Sequence, residues 1–151
     1  PYFKKLISKG ETKLPLTHLN MTRFVISLQS GVDFVISSLK LMNGGEIFIP
    51  KIKSIKILDL IESMVGRNNY DIIGVRPGEK LHEVMIPREE SLNCIELDKY
   101  YVILPQFSWW NIKKLKTYLS KYGQKPKTEF EYYSGDKKVI MSKKEVKELI
   151  I

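Results

Sequence analysis

Arg76 and Glu79 stand in the stretch GVRPGEKLHEVMIP, residues 74–87, with Pro77 and Gly78 between them. An arginine carries a planar fork of donors that fits phosphate or carboxylate oxygens. An ionised glutamate only accepts hydrogen bonds, which suits a pair of ribose hydroxyls. Pro77 and Gly78 set a tight turn, and a glycine lets a ligand approach the backbone closely. The apolar run DIIGV just before the turn reads as a strand. In α/β folds, ligands collect at the carboxyl ends of strands. The pair is therefore either a surface salt bridge on a turn or a grip on a ligand.

A second arginine, Arg23, lies in LPLTHLNMTRFVISL. The pattern places it at the start of a long helix, where a cation is electrostatically disfavoured. It then needs an external anion, for which a helix start is a ready site, or an acidic partner such as Asp33 or Glu46. Leu14, Pro15 and Leu16 could pack on a flat ring. Two arginines and one acid amount to a plausible nucleotide-diphosphate clamp. Other chemistries find less support. His18 and His82 are far apart and follow no metal-ligand spacing. His82–Glu83 does not open an H-E-x-x-H motif, because position 86 is Ile. No metal site is expected. Cys94, in LNCIEL, reads as a buried strand residue without a nearby base. Trp109, Trp110 and the tyrosines at 100, 101, 132 and 133 could stack bases, but aromatics in strands read first as core. YYSGD, residues 132–136, is a glycine-bearing loop that could close over a ligand.

These residues need elements to hold them. Residues 2–9 read as a short helix ended by Gly10, and ETKLPLTHLNM as a loop that Pro15 keeps from being helical. From Thr22 to Met42 the apolar residues recur at three and four, which predicts an amphipathic helix closed by NGG at 43–45. EIFIP reads as a strand. SIKILDLIESMVGR reads as a helix with Ser54 as its cap, and YDIIGV as a strand. GEKLHEVMI gives a turn, then a short helix or extended segment. SLNCIELDKYYVILP reads as two strands turning at Asp98–Lys99. NIKKLKTYLSKYG is a helix, FEYYSGD a loop, and SKKEVKELII a helix opened by a Ser142–Glu145 capping box. Strands alternating with helices make this α/β or α+β. No G-x-G-x-x-G and no Walker motif occurs, so no dinucleotide phosphate loop is expected in this chain.

The chain has 151 residues, 43% of them apolar, enough for one sizeable core. No apolar run approaches the roughly 18 residues of a membrane helix. No leader with a cleavage pattern opens it. A first residue of Pro and an immediate helix suggest a piece of something longer. One cysteine makes no internal disulfide and fits a reducing, cytoplasmic compartment. The formal charge of +8 is compatible with nucleic acid, anionic membranes or small anions. The lysines are scattered among apolar residues, which reads as solvated faces. Neither nucleic acid nor membrane is expected as a partner.

The stretches PLTHLNMTRF, GVDFV, GGEIF and PKI, followed by RPGEKLHE and MIP, resemble the C-terminal half of nucleotide-sugar dehydratases. The family is the inverting UDP-N-acetylglucosamine 4,6-dehydratases of polysaccharide biosynthesis, which are extended short-chain dehydrogenase/reductases. The likeness runs from Pro1 to about Leu104, fades from Gln106 to Lys127 and returns loosely at FEYYSGD. It implies an α/β fold in which residues 1–151 are the nucleotide-sugar substrate-binding half, without the N-terminal Rossmann half. It implies an enzyme that takes hydride from the sugar C4 to NADP, removes water across C5 and C6 and returns hydride to C6. NADP and the catalytic residues would belong to the absent half. The substrate would be UDP-N-acetylglucosamine, and the intact protein a cytoplasmic homo-oligomer. The implied residues are Arg23 and Arg76 for the diphosphate, Glu79 for the ribose, Thr17 for the uridine pocket, and Tyr133 and Ser134 near the sugar. Val25, where an aromatic is usual, and Asp136, where an uncharged polar residue is usual, depart from the pattern. The rivals are a UDP-sugar 4-epimerase on the same scaffold and a non-catalytic remnant domain.

Overall fold

A pairing between two three-residue strands, distant in sequence, settles much of the architecture. The computed structural model describes residues 2–107, 126 and 128–150. The helices are α1 (Tyr2–Ser8), α2 (Leu28–Leu41), α3 (Ile57–Val65), α4 (Arg88–Ser91) and α5 (Lys143–Ile150). The strands are β1 (Leu14–Leu16), β2 (Thr22–Phe24), β3 (Ile47–Pro50), β4 (Ser54–Lys56), β5 (Tyr70–Ile72), β6 (Val84–Ile86), β7 (Cys94–Glu96), β8 (Tyr100–Ile103) and β9 (Tyr132–Tyr133). This is a mixed α/β chain of small sheets, as the sequence pattern implies. It divides into two compact units: Pro1–Val25 with Lys53–Glu83 and Ser134–Ile151, and Ile26–Ile52 with Val84–Tyr133.

In the first unit β2 and β4 run antiparallel, Thr22 opposite Lys56 and Phe24 opposite Ser54. This corrects two expectations. The helix foreseen from Thr22 begins only at Leu28, and the helix foreseen from Ser54 begins only at Ile57. Ser54 is no cap. It is buried, and its hydroxyl donates to the Ser134 carbonyl at 2.7 Å. The segment foreseen as a loop contains β1, which pairs in parallel with β5, Leu14 opposite Tyr70 and Leu16 opposite Ile72. Pro15 does forbid helix, but a proline is tolerated on a short edge strand. Strand alternation turns Leu14 and Leu16 inward, where they meet Ile61 of α3 in a core that Phe3, Leu6 and Ile7 of α1 help to close. At the other end α5 packs on α3. The expected capping box is present: Ser142 N–H donates to Glu145 Oε2 at 2.7 Å, and Glu145 N–H to Ser142 Oγ at 3.3 Å. The Ser142 hydroxyl also donates to Glu145 Oε2, at 2.8 Å, and the bonds the carboxylate accepts from the Ser142 N–H and hydroxyl hold it below its usual range. Lys143 reaches Glu62 at 3.0 Å and the nearly buried Asp59 at 3.3 Å.

In the second unit β3, β8 and β7 form an antiparallel sheet in that order. Its core is Ile95, Leu97, Val102 and Leu104 with Phe48 and Tyr100 against it. The β7–β8 hairpin turns at Asp98–Lys99 as expected, with Leu97 N–H donating to the Tyr100 carbonyl at 2.9 Å. The extended alternative holds for the segment after GEKL: β6 pairs with β9, Val84 opposite Tyr133 and Ile86 opposite Tyr132. The Tyr132 hydroxyl accepts from Ile52 N–H and donates to the Ile52 carbonyl, both at 2.8 Å. Ser27 caps α2 by accepting from Ser30 N–H at 3.0 Å. After α2 the cap residue Met42 is extended, and the left-handed residues are Gly44 and Gly45. No residue of α2 is buried among the described residues, and its apolar stripe stays open, with Leu28 87% and Leu39 62% exposed. The expected helix at 111–123 and the Trp109–Trp110 pair lie outside the described residues.

Cys94 is fully buried, and desolvation pushes its thiol up to about 11. A thiol reagent at pH 8 will label it only as fast as the sheet opens; rapid labelling of the native chain would show the site to be accessible. Leu28→Lys with Leu39→Lys will change unfolding free energy by no more than about 1 kcal/mol, about 0.5 kcal/mol for each exposed position. The same pair will lower the binding of a hydrophobic dye.

Candidate functional site

In the first unit, Thr17, Arg23, Arg76 and Glu79 line one cavity of about 220 Å³. Apolar groups complete the lining: Tyr2 and Phe3 from α1, Pro15 from β1, and Met21, Ile57 and Ile73. Alternation along β1 decides which part of the LPL stretch is available. Pro15 faces the cavity, while Leu14 and Leu16 are spent in the core, so the expected packing of all three on a ring reduces to Pro15.

Arg23 is held on several sides. It sits on β2, not at a helix start, so the helix-terminus argument for an anion beside it fails. Its Nη1 donates to the Thr22 carbonyl at 2.8 Å and the Leu81 carbonyl at 3.2 Å. Its Nε lies 3.5 Å from Glu83 Oε1 and its Nη2 3.7 Å from Glu79 Oε1. Both ion pairs are longer than the roughly 2.7–2.9 Å of a charge-assisted hydrogen bond. Nε and Nη2 therefore keep donor capacity for an acceptor oxygen. Asp33 and Glu46, the acids weighed from sequence, are not these partners.

The RPGE turn has a definite geometry. Glu79 N–H donates to the Arg76 carbonyl at 3.0 Å, and Arg76 N–H donates to Glu79 Oε2 at 3.3 Å. Gly78 takes a φ of +79°, which an L side chain adopts only with strain. The glutamate thus grips the arginine's backbone, not its guanidinium. Among the described residues no acid lies within ion-pair distance of the exposed Arg76 guanidinium. The salt-bridge alternative for this pair is removed. Arg76 presents a cation without an acidic partner among the described residues on the cavity wall, and Glu79 presents a carboxylate shared with Arg23.

Ser134 and Tyr133 are placed elsewhere. Ser134 has no exposed surface. Its Oγ accepts from Glu83 N–H at 2.8 Å and meets Thr22 Oγ1 at 2.7 Å. Thr22 Oγ1 also meets His82 Nδ1 at 2.7 Å. Tyr133 belongs to the second unit, on β9. Asp136 caps its own turn, accepting from Lys138 N–H at 3.0 Å. Sequence reasoning missed Glu83, Tyr2 and Phe3. Glu83 stands four residues after Glu79 in GEKLHE, which is its one local signal; nothing local marks the aromatic pair.

The Gly44–Gly45 pair is not a dinucleotide phosphate loop. A dinucleotide phosphate loop runs strand, glycines, helix. Gly44 and Gly45 run the other way, from α2 into β3. Among the described residues no group of histidine, cysteine and acids could hold a metal, and no helix is long and apolar enough to cross a membrane.

The polysaccharide biosynthesis protein family matches residues 1–105. The chain is 46% identical over 154 residues to the UDP-N-acetylglucosamine 4,6-dehydratase (inverting) of Campylobacter jejuni subsp. jejuni serotype O:2, over 99% of this chain and 46% of that protein. It is 30% identical over 155 residues to the UDP-glucose 4-epimerase of Rickettsia rickettsii, over 100% of this chain and 44% of that protein. The X-ray structure of Pen from Bacillus thuringiensis matches with a TM-score of 0.78 at 30% identity, over 99% of this chain and 44% of that one. The chain thus spans about half the length of the curated relatives it matches.

The turn can be tested by itself. A Cβ on Gly78 meets no atom within 4 Å, so Gly78→Ala carries the backbone strain alone. It should cost about 1–2 kcal/mol in a urea titration. A cost near zero would mean that the turn relaxes without its left-handed residue.

Proposed function

The chain belongs to the polysaccharide biosynthesis protein family, and from that premise we propose that it is the part of a UDP-N-acetylglucosamine 4,6-dehydratase that grips the nucleotide-sugar. The observation that carries this reading is the convergence of Thr17, Arg23, Arg76 and Glu79 on one cavity. Arg76 and the spare donors of Arg23 take the diphosphate. Glu79, already placed to accept hydrogen bonds, takes the ribose hydroxyls. Thr17 and Pro15 border the uracil. Arg23 lies beside two carboxylates, so a diphosphate competes with Glu79 and Glu83 for its donors. The grip therefore needs both arginines, since one of them enters the contest already partly neutralised.

Residues outside this chain hold NADP and carry out the dehydration; this chain's share is binding and orientation. The intact protein works in the cytoplasm as a homo-oligomer in nucleotide-sugar supply for surface polysaccharides or glycans. A 4-epimerase on the same scaffold is the second reading, supported by the 30% identity to the Rickettsia protein. The 46% identity to the dehydratase favours the first. Product analysis separates them, because a dehydratase yields a 4-keto-6-deoxy sugar and an epimerase only an altered C4 configuration.

Calorimetry of UDP-N-acetylglucosamine with the intact protein tests the grip. Arg76→Ala and Glu79→Ala should each weaken binding by roughly 2 kcal/mol, the loss expected for a charged hydrogen bond. Unchanged affinity in both would make the RPGE turn purely architectural and remove the proposed site.

A further inference from the structure

The clamp has two arms that arrive from distant parts of the chain. Arg23 rides on β2; Arg76 and Glu79 ride on the segment that ends at Glu83. A backbone bond and a buried set of hydroxyls join the two segments. Thr22 N–H donates to the Leu81 carbonyl at 3.1 Å, and that carbonyl also accepts from Arg23 Nη1. Thr22 Oγ1 meets His82 Nδ1 and Ser134 Oγ, each at 2.7 Å. Ser134 is bonded twice to Glu83, its Oγ accepting from the Glu83 N–H and its N–H donating to the Glu83 carbonyl, both at 2.8 Å. Thr22 and Ser134 are 1% and 0% exposed, so neither hydroxyl can touch a ligand in the cavity.

We propose that Thr22 and Ser134 are positioning residues: their buried hydroxyl pair locks β2 to the 81–83 segment and so sets the distance between Arg23 and the Arg76–Glu79 arm for one diphosphate. The inference rests on the diphosphate reading of the cavity and assigns that reading's specificity to groups behind it. It gives Ser134 a role different from the sugar contact implied by resemblance. A hydrogen bond between two wholly desolvated hydroxyls has well-defined geometry, because each partner has no water to turn to. Glu83 gains from the same lock, since its backbone is pinned and its carboxylate is kept beside Arg23 Nε. Small displacements matter here: a positioning error of about 1 Å can cost a bound complex a large part of its productive geometry.

The test uses the intact protein with two probes, UDP and uridine, which share the nucleoside and differ in the diphosphate. UDP is followed by calorimetry and uridine by ligand-observed NMR. Thr22→Val removes the hydroxyl at nearly constant shape, Thr22→Ser restores it, and Ser134→Ala removes its partner. Thr22→Val and Ser134→Ala should weaken UDP about tenfold and leave uridine within about twofold, while Thr22→Ser binds UDP as the parent does. All are compared below their melting transitions; if Ser134→Ala does not fold, the Thr22 pair decides alone. Equal losses for UDP and uridine, equal losses in Thr22→Ser and Thr22→Val, or unchanged UDP affinity would each overturn the assignment. A parent protein that fails to bind UDP would overturn the diphosphate reading itself, and this inference with it.

Discussion

Arg23 brings five N–H donors and a permanent charge, and its side chain is only 25% exposed. A guanidinium so far removed from water must find acceptors in the protein or lose stability. Two backbone carbonyls and two carboxylates answer that need. Supplying them requires Leu81, Glu79 and Glu83 to lie beside β2. That demand brings the RPGE turn next to a strand far away in sequence. The cavity follows from this arrangement, since Arg76 and Thr17 line the space that the Arg23 partners leave open.

The apolar core and the polar hub contribute differently. Leu14, Leu16 and Ile61 bury surface, and burial of this kind is not directional. It holds α1, α3 and β1 together but tolerates small shifts. Hydrogen bonds among Thr22, Ser54, His82, Glu83 and Ser134 are directional, and an unsatisfied partner in so dry a place costs about 1–3 kcal/mol. The hub also anchors the returning chain. Ser54 N–H donates to the Val139 carbonyl and its carbonyl accepts from Met141 N–H, both at 2.8 Å. That contact leads directly into the Ser142 cap of α5 and the Lys143 pairs to α3.

Charge at the cavity is close to balanced, with Arg23 and Arg76 set against Glu79 and Glu83. An overall charge of +8 therefore says little about the site. In the proposed grip, what matters for an anion is which donors are already committed. Arg76 has no acidic partner among the described residues, and Arg23 has partners at distances that leave room for exchange. Under the proposed nucleoside-diphosphate reading, Glu79 beside Arg23 would answer a ligand that brings hydroxyls as well as phosphates.

The local signals read well where one element decides its own shape. The Ser142–Glu145 box, the Asp98–Lys99 hairpin, the EIFIP strand and the burial of Cys94 are all legible in SKKE, ELDKYY, GGEIF and LNCIEL. The conversion of the first turns of two expected helices into strands is not. TRF and SIK have helical apolar spacing, and only their pairing with each other, Thr22 to Lys56 and Phe24 to Ser54, makes them extended. A non-local hydrogen-bond ladder overrides local periodicity, and periodicity contains no information about it. The site divides in the same way. Residue type singled out Arg23, Arg76 and Glu79 as candidates but left a surface salt bridge open for the turn pair and an acidic partner open for Arg23. Which acid meets which arginine, and whether Ser134 faces the ligand or stands behind it, depends on where residues 22, 83 and 134 meet. Only the folded chain brings them within hydrogen-bond reach.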